Sequence, residues 1–351
     1  MIFIVLLIVI VLLYLILNKT KLSKYNPKNL TFCIIICVLF SIVQGFRAYS
    51  IGNDTLNYVK IYNSVKTASL IEIIAKTRTS VEMGFQLLLK MFAIMHVSDR
   101  GFLLIIAIMI NIGVSYFIYK NSKSPLLSII IFMGTEFFNL SFTALRQMLA
   151  VSIIINTYPY LVKKEKLKPI CLILVAATLH RTAIIFMIAL VVQHIKLNKK
   201  TYTILGILFV ALHLVGIPIL YELIKLTSYG VYLKTNVIGE GVVQTAVIII
   251  YTVFGIYLRY KNGKKDEQDI LVLLMIIAIF IQSITYKIAL IGRLIWYFYI
   301  FNTIFLPNLI MDIKDKKIKN ISYIVIATLN IMQYLLLSMN MYNVTPYAFL
   351  K

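Results

Sequence analysis

The chain reads as one apolar stretch after another, separated by short polar connections. The candidate spans are Ile2–Leu17, Leu30–Phe46, Phe102–Tyr119, Pro125–Asn139, Phe142–Leu161, Ile170–Val192, Tyr202–Leu223, Val242–Leu258, Ile270–Tyr286, Arg293–Met311 and Ile321–Met339. Apolar runs of about 17–25 residues are long enough to cross a bilayer as helices. Barrel strands would show period-two alternation, which is absent, so helices must satisfy the backbone amides in lipid. The pattern predicts an all-α, polytopic integral membrane protein with roughly 11–13 transmembrane or re-entrant helices. No repeat or linker divides it, so a single transmembrane domain is expected over residues 1–351. One long polar interruption follows the second span, from about residue 47 to 82, and contains "YSIGNDTLNYVKIY" at residues 49–62. The apolar piece behind it, Met83 to Val97, is too short for a clear span.

Composition agrees: 61% of the 351 residues are hydrophobic and 14% charged, more apolar surface than a soluble core would absorb. The first span has no basic residue ahead of it and no small-residue cleavage site, so it is expected to be retained rather than removed as a signal peptide. The net charge of +22 resides in short loops between spans, where it sets orientation; nucleic acid is therefore not an expected partner. Cys33, Cys37 and Cys171 all lie in apolar segments without paired histidines or cysteines, so neither a disulfide framework nor a metal site is expected. No phosphate loop, dinucleotide fingerprint or nucleophile triad occurs, and no cofactor is expected.

Loop charge orients the chain. Lys19 to Lys28, Lys120 with Lys123, Lys163 to Lys168, Lys196 to Lys200, Arg259 to Lys265 and Lys314 to Lys319 are the basic loops, assigned to the cytoplasm. All of them fall on one side only if Ile170–Val192 enters and leaves there, as two short helical pieces or a re-entrant hairpin meeting near His180-Arg181. If Met83–Val97 crosses fully and Ile170–Val192 is a simple span, Lys120, Lys123 and the Lys163–Lys168 cluster are left outside. The first topology places Arg47, the loop from Ile51 to Val81, Glu136, Arg146, His180, Arg181, Glu222, Lys287 and Arg293 toward the extracytoplasmic face. A charge at the bilayer centre costs roughly 2.5–3.5 kcal/mol on insertion scales, so these groups are expected to line a hydrated cavity opening outward.

Several of them have the chemistry for an anionic substrate. Arg146, in "FTALRQMLAVSIII" (142–155), has no acid three or four residues away. It would either snorkel to lipid phosphate or grip an anion, for which its planar fork is suited. His180-Arg181-Thr182 interrupts an apolar stretch: the histidine would serve as an interhelical hydrogen bonder, or, beside an arginine at a helix break, in phosphate binding or proton transfer. Lys287 and Arg293 repeat the pattern ahead of Trp296, Tyr297 and Tyr299, which are most simply an interfacial aromatic belt. Asp54 would either cap a helix from Thr55 to Tyr62 or, like Glu82, accept a proton from a sugar hydroxyl or orient it. Several cations and one or two carboxylates around an outward cavity suit a lipid-anchored diphosphate sugar.

Ile51-Gly52-Asn53-Asp54-Thr55 with Tyr58 and Tyr62, Glu82-Met83-Gly84-Phe85 with Leu88 and Lys90, Leu145-Arg146-Gln147 with Ala150, His180-Arg181-Thr182-Ala183, and Arg293 with Tyr297 form an ordered series from about residue 47 to 300. This series resembles the EpsG family of Wzy-like polymerases of bacterial exopolysaccharide and capsule. The resemblance implies polymerisation of repeat units on undecaprenyl diphosphate at the outer face of the cytoplasmic membrane. It implies diphosphate binding by Arg47, Arg146, Arg181 and Arg293, and acceptor activation by Asp54, Glu82 or His180, without a metal. A flippase and a chain-length regulator are candidate partners beside the membrane lipid and the undecaprenyl-diphosphate-linked oligosaccharide. Two other functions fit the same spans: a GT-C-type lipid-phosphate-sugar glycosyltransferase, and a lipid-linked oligosaccharide flippase or transporter. The second would show pseudo-symmetric halves, which the sequence lacks. A membrane O-acyltransferase would rest on His180 alone.

Overall fold

A computed structural model describes residues 2–19, 27–75, 81–226, 230, 233, 240–263 and 266–349. It is all-helical, with no strand among the described residues beyond an isolated bridge between Arg47 and Phe349. Part of the first basic loop (residues 20–26) and residues 76–80 of the long polar loop lie outside the described residues. By length and composition five described helices qualify as membrane spans: Lys28–Gly45, Asp99–Asn121, Lys199–Lys225, Glu267–Thr285 and Ile291–Met311. A sixth is formed if the bent pair Pro125–Gly134 and Phe137–Thr143 counts as one. The chain is a polytopic membrane protein.

Helices α1 (Ile2–Lys19) and α2 (Pro27–Gly45) lead into the long polar loop. That loop is itself helical: α3 (Thr55–Thr67), α4 (Leu70–Ile74) and α5 (Met83–Ile94). The expected helix after Asp54 is therefore present. Helix α5, at 12 residues and about 1.5 Å per residue, spans only about 18 Å. Helix α6 (Asp99–Asn121) lies against α2, and the contact carries buried polar groups: the Asn111 side-chain amide donates to Gln44 Oε1 (2.7 Å) and to Ser41 Oγ (3.3 Å). Such interhelical bonds matter where lipid gives helices no hydrophobic reason to associate.

The centre of the bundle is α7 (Pro125–Gly134) and α8 (Phe137–Thr143), every residue of which is buried. A helix apolar on all sides belongs inside the protein or in lipid; these are inside. They meet at a 56° bend, where Glu136 takes a left-handed φ of 74°. The expected single span Phe142–Leu161 is likewise broken: α9 (Leu145–Ile154) begins after Ala144, and a short 3-10 turn (Ile155–Thr157) precedes α10 (Tyr158–Val162).

Helix α11 (Leu167–Leu179) ends at His180, whose backbone is extended, and a 3-10 run (Arg181–Ile188) continues into α12 (Ala189–Val192). The residues before and after this segment return to one place. Leu161, Val162 and Lys164 share a small cavity with Gln193, His194 and Lys196, next to Glu267 and Asp269. The segment is a hairpin with His180 at its tip. Its 13-residue first arm reaches about 20 Å, short of the roughly 30 Å hydrocarbon core. Both arms therefore begin at the end that carries the basic loops. That end is tied together: Asp269 pairs with the buried Arg259 and accepts from the Leu197 amide (2.9 Å), and Asp312 pairs with Lys123 and accepts from Gln268 (3.2 Å).

Helices α13 (Lys199–Ala211) and α14 (Ile217–Lys225), joined through a π-helical turn, stand at the periphery, with 6% of their spanning window buried. Helices α15 (Glu240–Lys261) and α16 (Asp266–Thr285) follow. A 3-10 run (Ala289–Ile295) then leads into α17 (Trp296–Tyr299), α18 (Asn302–Met311) and α19 (Lys316–Leu336). Tyr297 and Tyr299 are 0% and 1% exposed, so the expected interfacial belt is corrected: these rings are core, and the Tyr297 hydroxyl bonds Thr182 (3.0 Å).

Candidate active site

At the end of the bundle opposite the basic loops lies a cavity of about 240 Å³. Four residues from four separate stretches of sequence line it: Asp54, Arg146, His180 and Arg293. Local structure explains how each arrives.

Asp54 sits at the start of α3, yet its carboxylate caps nothing. It is steered instead by Thr143 at the end of α8. The Asp54 amide donates to Thr143 Oγ1 (3.2 Å), and that hydroxyl lies 3.5 Å from Asp54 Oδ2. The turn before it needs Gly52, whose φ is +84° and whose missing side chain would meet the Phe142 carbonyl at 2.6 Å. Arg47 fixes the same turn from behind. Its guanidinium, 0% exposed, donates to the Gln44 carbonyl, the Phe142 carbonyl (3.0 Å) and Thr55 Oγ1 (3.2 Å). For the diphosphate contact expected of Arg47, the structure places the guanidinium on the protein's own carbonyls, and it is not among the cavity-lining residues.

Glu82 gathers three of the other predicted groups. One carboxylate oxygen pairs with Arg146 Nη1; the other accepts from the Arg181 backbone amide (3.1 Å) and stands 3.2 Å from His180 Nδ1. The meeting depends on Gly84: a side chain there would sit 2.5–2.6 Å from Thr178, so α5 touches α11 two residues from Glu82 and two from His180. Burial works against the charge on Glu82. The His180 ring, the Arg146 guanidinium and backbone amides outweigh it and hold the carboxyl down at about 2, from an ordinary 4.5. A carboxylate so strongly held is a poor general base near neutral pH, where the base is best matched to its surroundings. Arg181 reaches this cluster through its backbone amide, and its side chain is not among the cavity-lining residues.

Arg293 is presented by the 3-10 run before α17, and its carbonyl accepts from the Gln147 side chain (2.6 Å). Gln147 also lines the cavity, next to Arg146 on α9. Among the described residues, no carboxylate is paired with the Arg293 side chain. The wall is completed by Tyr58, Trp296 and Tyr342. Tyr58 was legible as a partner of Asp54, since positions four apart share a helix face; nothing in the sequence signalled Tyr342. No group of three His, Cys, Asp or Glu side chains suited to a metal ion occurs among the described residues.

The cavity gathers two guanidiniums, an imidazole and a carboxylate at one end of a membrane bundle. The fold defines a polytopic membrane protein whose cavity gathers charged and hydroxyl-bearing side chains. The sequence profile of the EpsG family matches residues 29–349, nearly the whole chain. The chain belongs to this family of Wzy-like polysaccharide polymerases, whose substrate is a lipid-linked polysaccharide in a membrane. Comparison with curated proteins and with solved structures gave no match.

Proposed function

We propose that the protein transfers a glycan chain from undecaprenyl diphosphate to a sugar hydroxyl of a new lipid-linked repeat unit. The reaction takes place at the outer face of the bacterial cytoplasmic membrane. The observation that carries this reading is the convergence of Asp54, Arg146, His180 and Arg293 on one cavity, at the end away from the basic loops. The acceptor oxygen attacks the anomeric carbon, the bond from that carbon to the diphosphate oxygen breaks, and the electron pair leaves with the lipid diphosphate. The hydroxyl proton passes to Asp54. Arg293 and Arg146 stabilise the charge that develops on the departing diphosphate, the work a metal ion does in other transferases. His180 lies beside them as a further donor to a phosphate oxygen. Glu82 is a positioning residue: it holds Arg146, the His180 ring and the hairpin tip, and Arg47 holds the Asp54 turn.

The test is reconstitution. Purified protein in lipid, given an undecaprenyl-diphosphate oligosaccharide, yields a ladder of products. Asp54→Asn lowers the rate about 100-fold or more, the scale of general-base loss, with unchanged folding because the carboxylate caps no helix. Arg293→Ala lowers it without disturbing any ion pair. A single added sugar in place of a ladder would replace the polymerase with a monosaccharide transferase; full activity of both variants would remove the cavity from the reaction.

A further inference from the structure

The cavity has a second wall, of which the reaction above uses only Asp54. Part of it is built by the segment after α19. A 3-10 run (Ser338–Asn343) doubles back beneath the long polar loop and is fastened there. The Gly52 amide donates to the Asn343 carbonyl (3.0 Å), the Asn343 side chain to the Ser50 carbonyl (3.0 Å), and the Ala48 amide to the Ala348 carbonyl (2.8 Å). Within it, Tyr342 lines the cavity and donates its hydroxyl to Glu136 Oε2 (3.0 Å). Five described non-glycine residues have positive φ; three of them, Glu136 (74°), Tyr342 (63°) and Asn343 (55°), meet at this wall. A left-handed backbone in a bulky residue is costly, and such strain persists where the surrounding structure imposes it, often at functional sites.

The two walls differ in chemistry. Arg146, Gln147 and Arg293 are joined through the Gln147–Arg293 bond, and His180 joins them through Glu82. Asn53, Asp54, Thr143 and Tyr342 are joined through Thr143, Gly52 and Asn343, and this wall holds no cation. An aromatic ring beside a carboxylate, a side-chain amide and a hydroxyl is what a neutral sugar requires: a flat apolar face for its C–H groups and directed partners for its hydroxyls. We propose that Tyr342, locked by Glu136, forms with Asn53 and Asp54 a saccharide subsite that holds the acceptor sugar against the carboxylate. This rests on the polymerase reading, and it makes Tyr342 a specificity-determining residue and Glu136 a positioning residue.

The sole tryptophan of the chain, Trp296, lines the same cavity, so its fluorescence reports occupancy of either wall. Protein in detergent–lipid micelles is titrated with two probes. One is inorganic pyrophosphate; the other is a diphosphate-free oligosaccharide obtained by partial hydrolysis of the polymer that cells carrying the gene produce. Tyr342→Ala weakens oligosaccharide binding tenfold or more and leaves pyrophosphate within twofold, while Arg293→Ala does the reverse. Tyr342→Phe, which keeps the ring and removes the hydroxyl that bonds Glu136, weakens the oligosaccharide two- to fivefold. Tyr342→Ala with unchanged oligosaccharide binding, or with both probes weakened equally, overturns the subsite while the polymerase reading stands. If neither probe perturbs Trp296 in the unsubstituted protein, the polymerase site itself is wrong, and the subsite falls with it.

Discussion

Glu82 and Arg146 are 64 positions apart, one ahead of a short helix of the long polar loop and one inside a bundle helix, and their side chains form an ion pair at the edge of the cavity. Arg146 looked solitary in the sequence because its acid partner comes from outside its own helix. The pair, with Tyr58, sets the position of the guanidinium, and its geometry depends on α5 lying flush against α11.

The pair predicts a strong coupling. Arg146→Met strands a partly buried carboxylate, and Glu82→Gln strands a partly buried cation, each costing about 1–3 kcal/mol. The double variant costs less than the sum of the two, because no unpaired charge remains. Thermal unfolding of the four proteins in one detergent measures the cycle; strict additivity would show that the two groups do not interact.

The depressed titration of Glu82 fixes the sign of a pH effect. Its folded-state value lies near 2, below the ordinary 4.5, so its contribution to stability is fully present above about pH 4.5. That contribution is lost as pH falls toward 2. Unfolding midpoints of wild type and Glu82→Gln followed from pH 6 to pH 2.5 will converge as acid is added. A gap that is constant over this range would mean the carboxylate is not held in its charged form.

Arg47 is expected to behave as a structural residue. Arg47→Met removes the donor to the Gln44 carbonyl and the Thr55 hydroxyl and leaves the Phe142 carbonyl with only the Thr55 hydroxyl at 3.3 Å, at a cost of about 1–3 kcal/mol. The protein that remains folded should bind pyrophosphate as the wild type does, read by Trp296 fluorescence. Selective loss of pyrophosphate binding, with an unchanged unfolding midpoint, would return Arg47 to the site.

The hairpin makes a topological prediction. After the native cysteines are replaced, single cysteines at Lys164 and Lys196 should react with a membrane-impermeant maleimide only when the cytoplasmic side is accessible. Labelling of the two from opposite sides would turn residues 167–192 into a simple span.

The helical class, the hairpin and four of the cavity residues could be read from the sequence because each breaks a strong regularity. His180-Arg181 stands in an apolar run, and the charge of the flanking loops demands that the chain turn back there. The place of Arg47 behind the Asp54 turn was not legible, because a cation near a membrane end has the same sequence signature whether it faces solvent or a cluster of backbone carbonyls. Tyr297 and Tyr299 were misread because an aromatic cluster at a helix end marks an interface only if the helix is peripheral, and α17 is central. Tyr342 lies in a short polar segment with no periodicity, and its place is set by hydrogen bonds to residues about 290 positions earlier, such as that from Asn343 to Ser50 (a separation of 293). Local pattern carries no information about such pairings.

The fastening of Ser338–Phe349 onto the Ala48–Gly52 turn has a bearing on biogenesis. Helices enter the bilayer in the order of synthesis, so the loop bearing Asp54 is made early and waits, incomplete, while the ribosome makes nearly 300 more residues. Enzymatic competence should therefore appear abruptly, after α19 has been inserted, and nascent chains arrested before that point would be stably embedded yet inert.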